Sequence, residues 1–166
     1  MAPSVKHPAK LDLGDFLPHL VNRVGTIIAE QFGEETLAPH RLSIAMWRVM
    51  AVLASKGSQR QIDLADLTSI DASTLSRIVT RLVRMRLLTR TRSTSSNREV
   101  AVTLSAKGKT LVARLIPLAQ EIEADAAAGL SSGELAVVKR CLRRIYGNMK
   151  NRPAAASRSR QKRVAI

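Results

Sequence analysis

From Ser58 to Leu104 the hydrophobic period of the chain changes from three-four to two within one short stretch, and few folds accommodate that change. Ser58-Gln59-Arg60-Gln61 has the pattern of a capping box, a serine hydroxyl taking the amide of residue 61 while the glutamine reaches back. A short helix is expected from there to about Thr68. Asp71 is expected to cap a further helix over Ala72 to about Met85, with Leu75, Ile78, Val79 and Leu82 as its inner face. Leu87 to Arg92 and Glu99 to Leu104 then bracket a polar loop, Ser93 to Asn97, and Val100, Val102 and Leu104 alternate as one face of a strand does. Two short helices followed by a β-hairpin make a helix-turn-helix with a wing.

Charge gives that segment a purpose. Ala72 to Arg98 holds seven arginines, at positions 77, 81, 84, 86, 90, 92 and 98, and no acid lies between Asp71 and Glu99. A field of that sign suits a polyanion. The net charge of the chain is +14, of which residues 150–166 supply +6 through Lys150, Arg152, Arg158, Arg160, Lys162 and Arg163. The remaining +8 belongs to residues 1–149, so the body is basic without its tail. Phe16, Phe32, Trp47 and Tyr146 are the four aromatics and none lies in the basic segment. Stacking platforms for single strands or RNA are therefore missing, and duplex DNA read through a groove is the expected partner. Ser73, Thr74, Arg77, Thr80, Arg81 and Arg84 would project from the second helix of the pair, short hydroxyls first and arginines behind, as suits a helix in a major groove. Arg77 is assigned to DNA rather than to an ion pair with Asp63 or Asp66. Arg90, Arg92 and Arg98 lie on the wing, and Arg98 is long enough to reach an adjacent minor groove.

The flanks read as helices. Leu13, Phe16, Leu17, Leu20, Val21, Val24, Ile27 and Ile28 make one wide apolar stripe over Leu13 to Phe32, with Pro18 marking the true first turn or a bend, and Gly33 is expected to end it. After a loop from Glu34 to Leu42, Ser43 can cap a helix whose Met46, Val49, Met50 and Leu53 face inward, with Gly57 as its stop. From Ser105 a long helix carries Leu111, Leu115, Leu118 and Ile122 on one stripe, with a kink expected at Pro117. Ser131 to Glu134 is a second capping box, opening a helix with Leu135, Val138, Leu142, Ile145 and Met149, whose end Gly147 would loosen. Residues 1–10 are expected to be a disordered arm and 150–166 a disordered basic tail. One domain is therefore expected over residues 11–149.

Several classes fall away. A single cysteine, Cys141, excludes an internal disulfide, and three scattered histidines at 7, 19 and 40 form no ligand spacing, so neither a metal nor a cofactor is expected. No apolar run approaches the roughly 20 residues of a membrane span, and a soluble cytoplasmic protein is expected. No nucleophile, base and orienting group cluster, so the chain is not read as an enzyme. The rival reading is an architectural DNA-binding protein indifferent to sequence, which the basic tail favours.

The residues resemble the MarR family of winged-helix transcriptional regulators over roughly Leu11 to Met149. The resemblance is carried by Leu64-Ala65, by Thr74-Leu75-Ser76-Arg77 in the reading helix, by the wing ending at Arg98, and by Leu104-Ser105 with Gly108. It implies a mainly α fold with a small β-hairpin wing: a DNA-binding lobe over 43–104, and dimerisation through the terminal helices, residues 11–33 and 105–149. It also implies base contacts from the reading helix, Ser76 included, and an obligate homodimer on a pseudo-palindromic operator, most simply as a repressor. The expected helices over Leu13 to Phe32 and from Ser131 to Met149 carry more apolar stripe than a small winged domain can cover, which agrees with a dimer. Ser96 stands where the family usually has a wing aspartate, so a more mobile wing is expected. Ser69 replaces a turn glycine, and Arg86 replaces the glycine after the reading helix, so either Arg86 is left-handed or the cap differs.

The family's ligand crevice between dimerisation helices and winged lobe would lie near His19, Asn22, Arg23, His40, Arg41, Trp47 and Arg48. Arginines pair with carboxylate or phosphate and Trp47 can cover a ring, so the expected effector is an aromatic anion or its coenzyme A thioester. Some relatives sense oxidants through cysteine. Cys141, beside Arg140, Arg143 and Arg144, is instead expected to be a small buried residue, with a redox switch as the alternative.

Overall fold

The computed structural model describes residues 11–92 and 100–152, the side chains of Arg92 and Val100 excepted. The expected N-terminal arm, most of the basic tail, and the wing tip with Ser96 and Arg98 lie outside the described residues. The chain divides into two compact units at residues 123 and 124.

The first unit opens with helix α1, Leu17–Gln31, and Pro18 stands in its first turn, where the missing N–H removes no helical bond. Gly33 does not end the helix, and the expected loop is helical too. The coil widens into a π-helical turn, Phe32–Leu37, and then a 3-10 turn, Ala38–His40, closed by Arg41 at φ 56°. Three buried side chains, Phe32, Thr36 and Leu37, hold this connection down, so tertiary contact outweighs the glycine. Helix α2, Ile44–Lys56, starts where Ser43 accepts the Met46 amide at 3.3 Å, and ends at Gly57 with φ 74°.

Ser58 does not cap the next helix. Gln59–Arg60 form a short strand, β1, which pairs with Val102 and Ala101, and the Ser58 hydroxyl points at the Val102 carbonyl, 3.5 Å away. Arg60 takes the cap position of α3, Gln61–Thr68, without a side-chain cap bond. With the helix beginning at Gln61, Ser58 lies two residues ahead of the cap position. Ser69 at φ 55° makes the turn to α4, Ala72–Arg84. Strands β2, Leu88–Arg92, and β3, Val100–Leu104, form the expected hairpin, and β3 lies in the centre of a three-stranded antiparallel sheet in the order β1-β3-β2.

Helix α5, Ala106–Ala126, runs through Pro117. Of its expected stripe Leu115 is buried and Leu111 and Ile122 are half-buried, whereas Leu118 is exposed. The core of this unit joins Met46, Val49, Met50 and Leu53 of α2 to Leu64, Leu75, Val79, Leu82, Leu87, Leu88, Val102, Leu104 and Val112. Each such side chain contributes about 1.5–3 kcal/mol when fully withdrawn from water. On α1 the inventory is reversed: Leu17, Leu20, Val21, Val24 and Ile27 are all exposed within the chain.

The second unit contains α6, Ser132–Lys150, which extends past Gly147. Its capping box forms as expected, the Ser131 hydroxyl accepting the Glu134 amide at 3.3 Å and Glu134 accepting the Ser131 amide at 2.8 Å. The Ser131 hydroxyl, donating to Glu134 Oε2 at 2.7 Å, and secondly the Ser131 amide hold the Glu134 carboxyl below its ordinary pKa. Val137, Val138, Leu142, Tyr146 and Met149 are exposed within the chain. Cys141 is exposed as well, correcting the expectation that it is buried.

Candidate nucleic-acid interface

Asp71 fixes the start of α4. Its carboxylate accepts the Thr74 amide at 2.9 Å and the Ser73 hydroxyl at 2.7 Å, and these bonds, the backbone one foremost, drive its pKa far below the usual carboxylate range. Leu75, Val79 and Leu82 lie fully buried along the opposite face, so the helix cannot roll. What remains outward is a polar surface: Ser73, Thr74, Arg77, Arg81 and Arg84 are exposed, while Ser76 is half-buried at its border.

Position on α3 decides whether those arginines are neutralised. Asp63, one of the two acids expected to rival DNA for Arg77, is held by Arg60 at 2.7 and 3.0 Å, which lowers the Asp63 pKa. Among the described residues Arg77, Arg81 and Arg84 form no ion pair. Uncompensated guanidinium groups on one anchored face create a standing positive potential. Arg90 joins them from β2, donating to the Thr80 hydroxyl at 2.9 Å. Arg92 has its backbone in the same strand, and Arg98 lies outside the described residues.

The C-terminal end of α4 is tied to the start of α5. Arg86 adopts φ 59°, the left-handed alternative for the residue that stands in the family's glycine position. Its carbonyl accepts the Ser105 hydroxyl at 2.7 Å, the Leu87 carbonyl accepts the Ser105 amide at 3.0 Å, and Lys107 reaches the Met85 carbonyl at 3.4 Å. Gly108 passes so close to Leu87 that a Cβ there would lie 2.0 Å from its carbonyl oxygen. Sequence reasoning found Ser105 and Gly108 through the resemblance but missed what they grip.

Of the residues proposed for a ligand, the structure brings together only His40 and Arg41. They line a groove of about 670 Å³ with Lys107, Thr110 and Arg114 of α5 and apolar Met85, Leu87 and Leu111. Trp47 is not among the groove's lining residues; it meets Phe32 edge-on, ring centroids 5.4 Å apart, and packs half-buried against the core. His19, Asn22, Arg23 and Arg48 are not among the groove's lining residues. The missed residues had a signal, since 107, 110, 111 and 114 repeat at the helical three-four interval.

No helix among the described residues is long and apolar enough to cross a membrane. Residues 42–100, which contain α2 to the base of the wing, match the family model of the MarR family. No curated protein sequence matches the chain. Among solved structures, the chain is similar to a MarR family transcriptional regulator from Silicibacter pomeroyi at 28% identity and a TM-score of 0.76, covering 90% of this chain and 99% of that one. It is also similar to BpsR of Bordetella bronchiseptica, whose DNA binding is regulated by 6-hydroxynicotinic acid (27% identity, TM-score 0.71, 78% of this chain and 98% of that one). A probable transcriptional regulator from Pseudomonas aeruginosa is similar at 26% identity and a TM-score of 0.73, covering 81% and 99%. Residues 42–100, the lobe that presents the arginine face, thus carry the sequence pattern of the MarR family, and the chain shares the winged helix-turn-helix fold of the transcriptional regulators it is similar to.

Proposed function

We propose that the protein is a ligand-responsive repressor that binds a pseudo-palindromic operator as a homodimer and leaves it when a small aromatic anion, or its coenzyme A thioester, is bound. The observation that carries the DNA part of this reading is the exposed face of α4, anchored by buried leucine and valine and presenting Arg77, Arg81 and Arg84, which form no ion pair among the described residues. Ser73, Thr74 and Arg77 stand at its N-terminal end, where a reading helix meets base edges. The uncovered apolar stripes of α1 and α6 support the dimer, because surfaces of that character are rarely left in water. Two reading helices related by a two-fold axis require half-sites about one helical turn, roughly 10 bp, apart.

For the effector, support comes from the groove at His40 and Arg41. Its volume suits a small molecule, its cations suit a carboxylate or phosphate, and Met85, Leu87 and Leu111 suit a ring. BpsR, similar in fold and regulated by an aromatic acid, favours the same class. The groove's Met85 and Leu87 follow the reading helix directly, so an occupant would bear on that helix without an intermediary.

Footprinting on the gene's own upstream region, repeated with aromatic acids, tests the whole reading. A protected palindrome that disappears with an acid is expected; protection that bulk duplex DNA removes as readily as the palindrome would favour an architectural role instead. Arg77→Ala is expected to relax base preference at its half-site position, and Arg98→Ala to weaken binding with less change in sequence choice. If Arg77→Ala bound the selected duplex as the parent does, α4 would not be the reading helix.

A further inference from the structure

Arg90 leaves β2 toward α4, the helix that carries the other exposed arginines. In the β2–β3 register Leu88 faces Leu104 and Arg90 faces Val102, and Leu88, Leu104 and Val102 are all buried. Directly opposed residues share a face, so Arg90 leaves the sheet on the side of the buried Leu88 and Val102, toward α4, while remaining exposed. There its Nη2 donates to Thr80 Oγ1 at 2.9 Å. Thr80 in turn donates its only hydroxyl hydrogen to the Ser76 carbonyl at 2.8 Å, one turn back along α4. With that hydrogen committed, Oγ1 can only accept, and the relay has one polarity.

The placement is electrostatically unfavourable by itself. Arg77 and Arg84 lie one turn either side of Thr80, Arg81 follows it, and none of these or Arg90 has a carboxylate partner among the described residues. A guanidinium carries five N–H donors, and among the described residues the bond to Thr80 occupies one of them, leaving donors on a face with no described acid. A phosphate at the junction of reading helix and wing would match those donors in charge.

We infer that Arg90 is a phosphate clamp at the junction of α4 and the wing, and that Thr80, through Ser76, is the positioning residue that aims it. The relay spans ten residues of sequence and joins two elements that bind DNA together. It therefore sets the angle between reading helix and wing before DNA arrives.

The test is a double-mutant cycle measured by anisotropy as a function of salt, on a duplex recovered by the protein from a random pool. Arg90→Gln is expected to lose about tenfold in affinity and to reduce the salt slope by about one, the signature of one lost phosphate contact. Thr80→Val, which keeps the branched shape but not the hydroxyl, is expected to lose roughly three- to tenfold at unchanged melting temperature. Thr80→Ser is expected to restore binding. In the Arg90→Gln background Thr80→Val is expected to cost nothing further. The inference is overturned if Thr80→Val binds as the parent does, if the two losses multiply, or if Arg90→Gln leaves the salt slope unchanged. Should the valine variant melt early, Thr80→Ala and Thr80→Ser compared at equal folded fraction give the same decision.

Discussion

Replacing Gly108 by alanine adds one carbon at the point where α5 meets the end of the reading helix. An ideally placed Cβ would lie 2.0 Å from the Leu87 carbonyl oxygen, 3.0 Å from its carbon and 3.2 Å from Leu104 Cδ2. Since comfortable heavy-atom contacts begin near about 3.5 Å, the two backbones must separate by more than about 1 Å. Overpacking of this kind costs about 1–3 kcal/mol. The same carbonyl accepts the Ser105 amide at 3.0 Å, so separation also forfeits a hydrogen bond, about 1 kcal/mol more. Alanine's higher helix propensity returns about 1 kcal/mol, leaving a net loss of about 1–3 kcal/mol. For a chain of this size that lowers the melting temperature by roughly 2–12 °C. Thermal unfolding followed by circular dichroism measures it, with Gly25→Ala as the control: nothing lies within 4 Å of a Cβ at Gly25, inside α1, so that variant is expected to melt slightly higher. A Gly108→Ala protein as stable as the parent would refute the claim that close backbone approach, and not flexibility, is why glycine stands there.

Arg86→Gly is expected to stabilise the protein by up to about 1 kcal/mol, because a side chain at φ 59° bears the left-handed penalty that glycine escapes; a lower melting temperature would show that the arginine side chain has a structural role. Asp71 has a folded pKa below its unfolded value of about 3.9, so its contribution is fully present above that value and is lost as pH falls through the lower folded one. The stability difference between parent and Asp71→Ala is therefore expected to be constant from pH 8 to about 5 and to shrink below about 4, as read from melts across pH; a difference that persists unchanged into strong acid would remove the cap as its cause.

Local features were legible because their causes lie within four residues. The Asp71 cap bonds residues 73 and 74, the Ser131–Glu134 box closes over three positions, and the inner face of α4 follows from the spacing of Leu75, Val79 and Leu82. The same local logic failed at Ser58, where the capping pattern is present but the sheet claims the backbone, and at Gly33, where buried Phe32 and Leu37 carry the helical path past a glycine. Trp47 was recognisable as an aromatic near a crevice, but only its neighbour Phe32 decides that it packs.

The amino-acid sequence alone therefore determined the order of the main helices and the hairpin strands, the caps at Ser43, Asp71 and Ser131, the polar face of the reading helix and the sign of its field, because each depends on period, short-range bonding or net charge. Tertiary structure decided which arginines stay unpaired, where Arg90 points, why Gly108 is glycine, and that His40 and Arg41 share a groove with Lys107 and Arg114. Those outcomes rest on pairs such as Arg90 with Thr80, Ser105 with Arg86 and Ser58 with Val102, separated by 10, 19 and 44 residues. Residue type constrains such partners only weakly. Their meeting is set by how the buried core orients the elements that carry them.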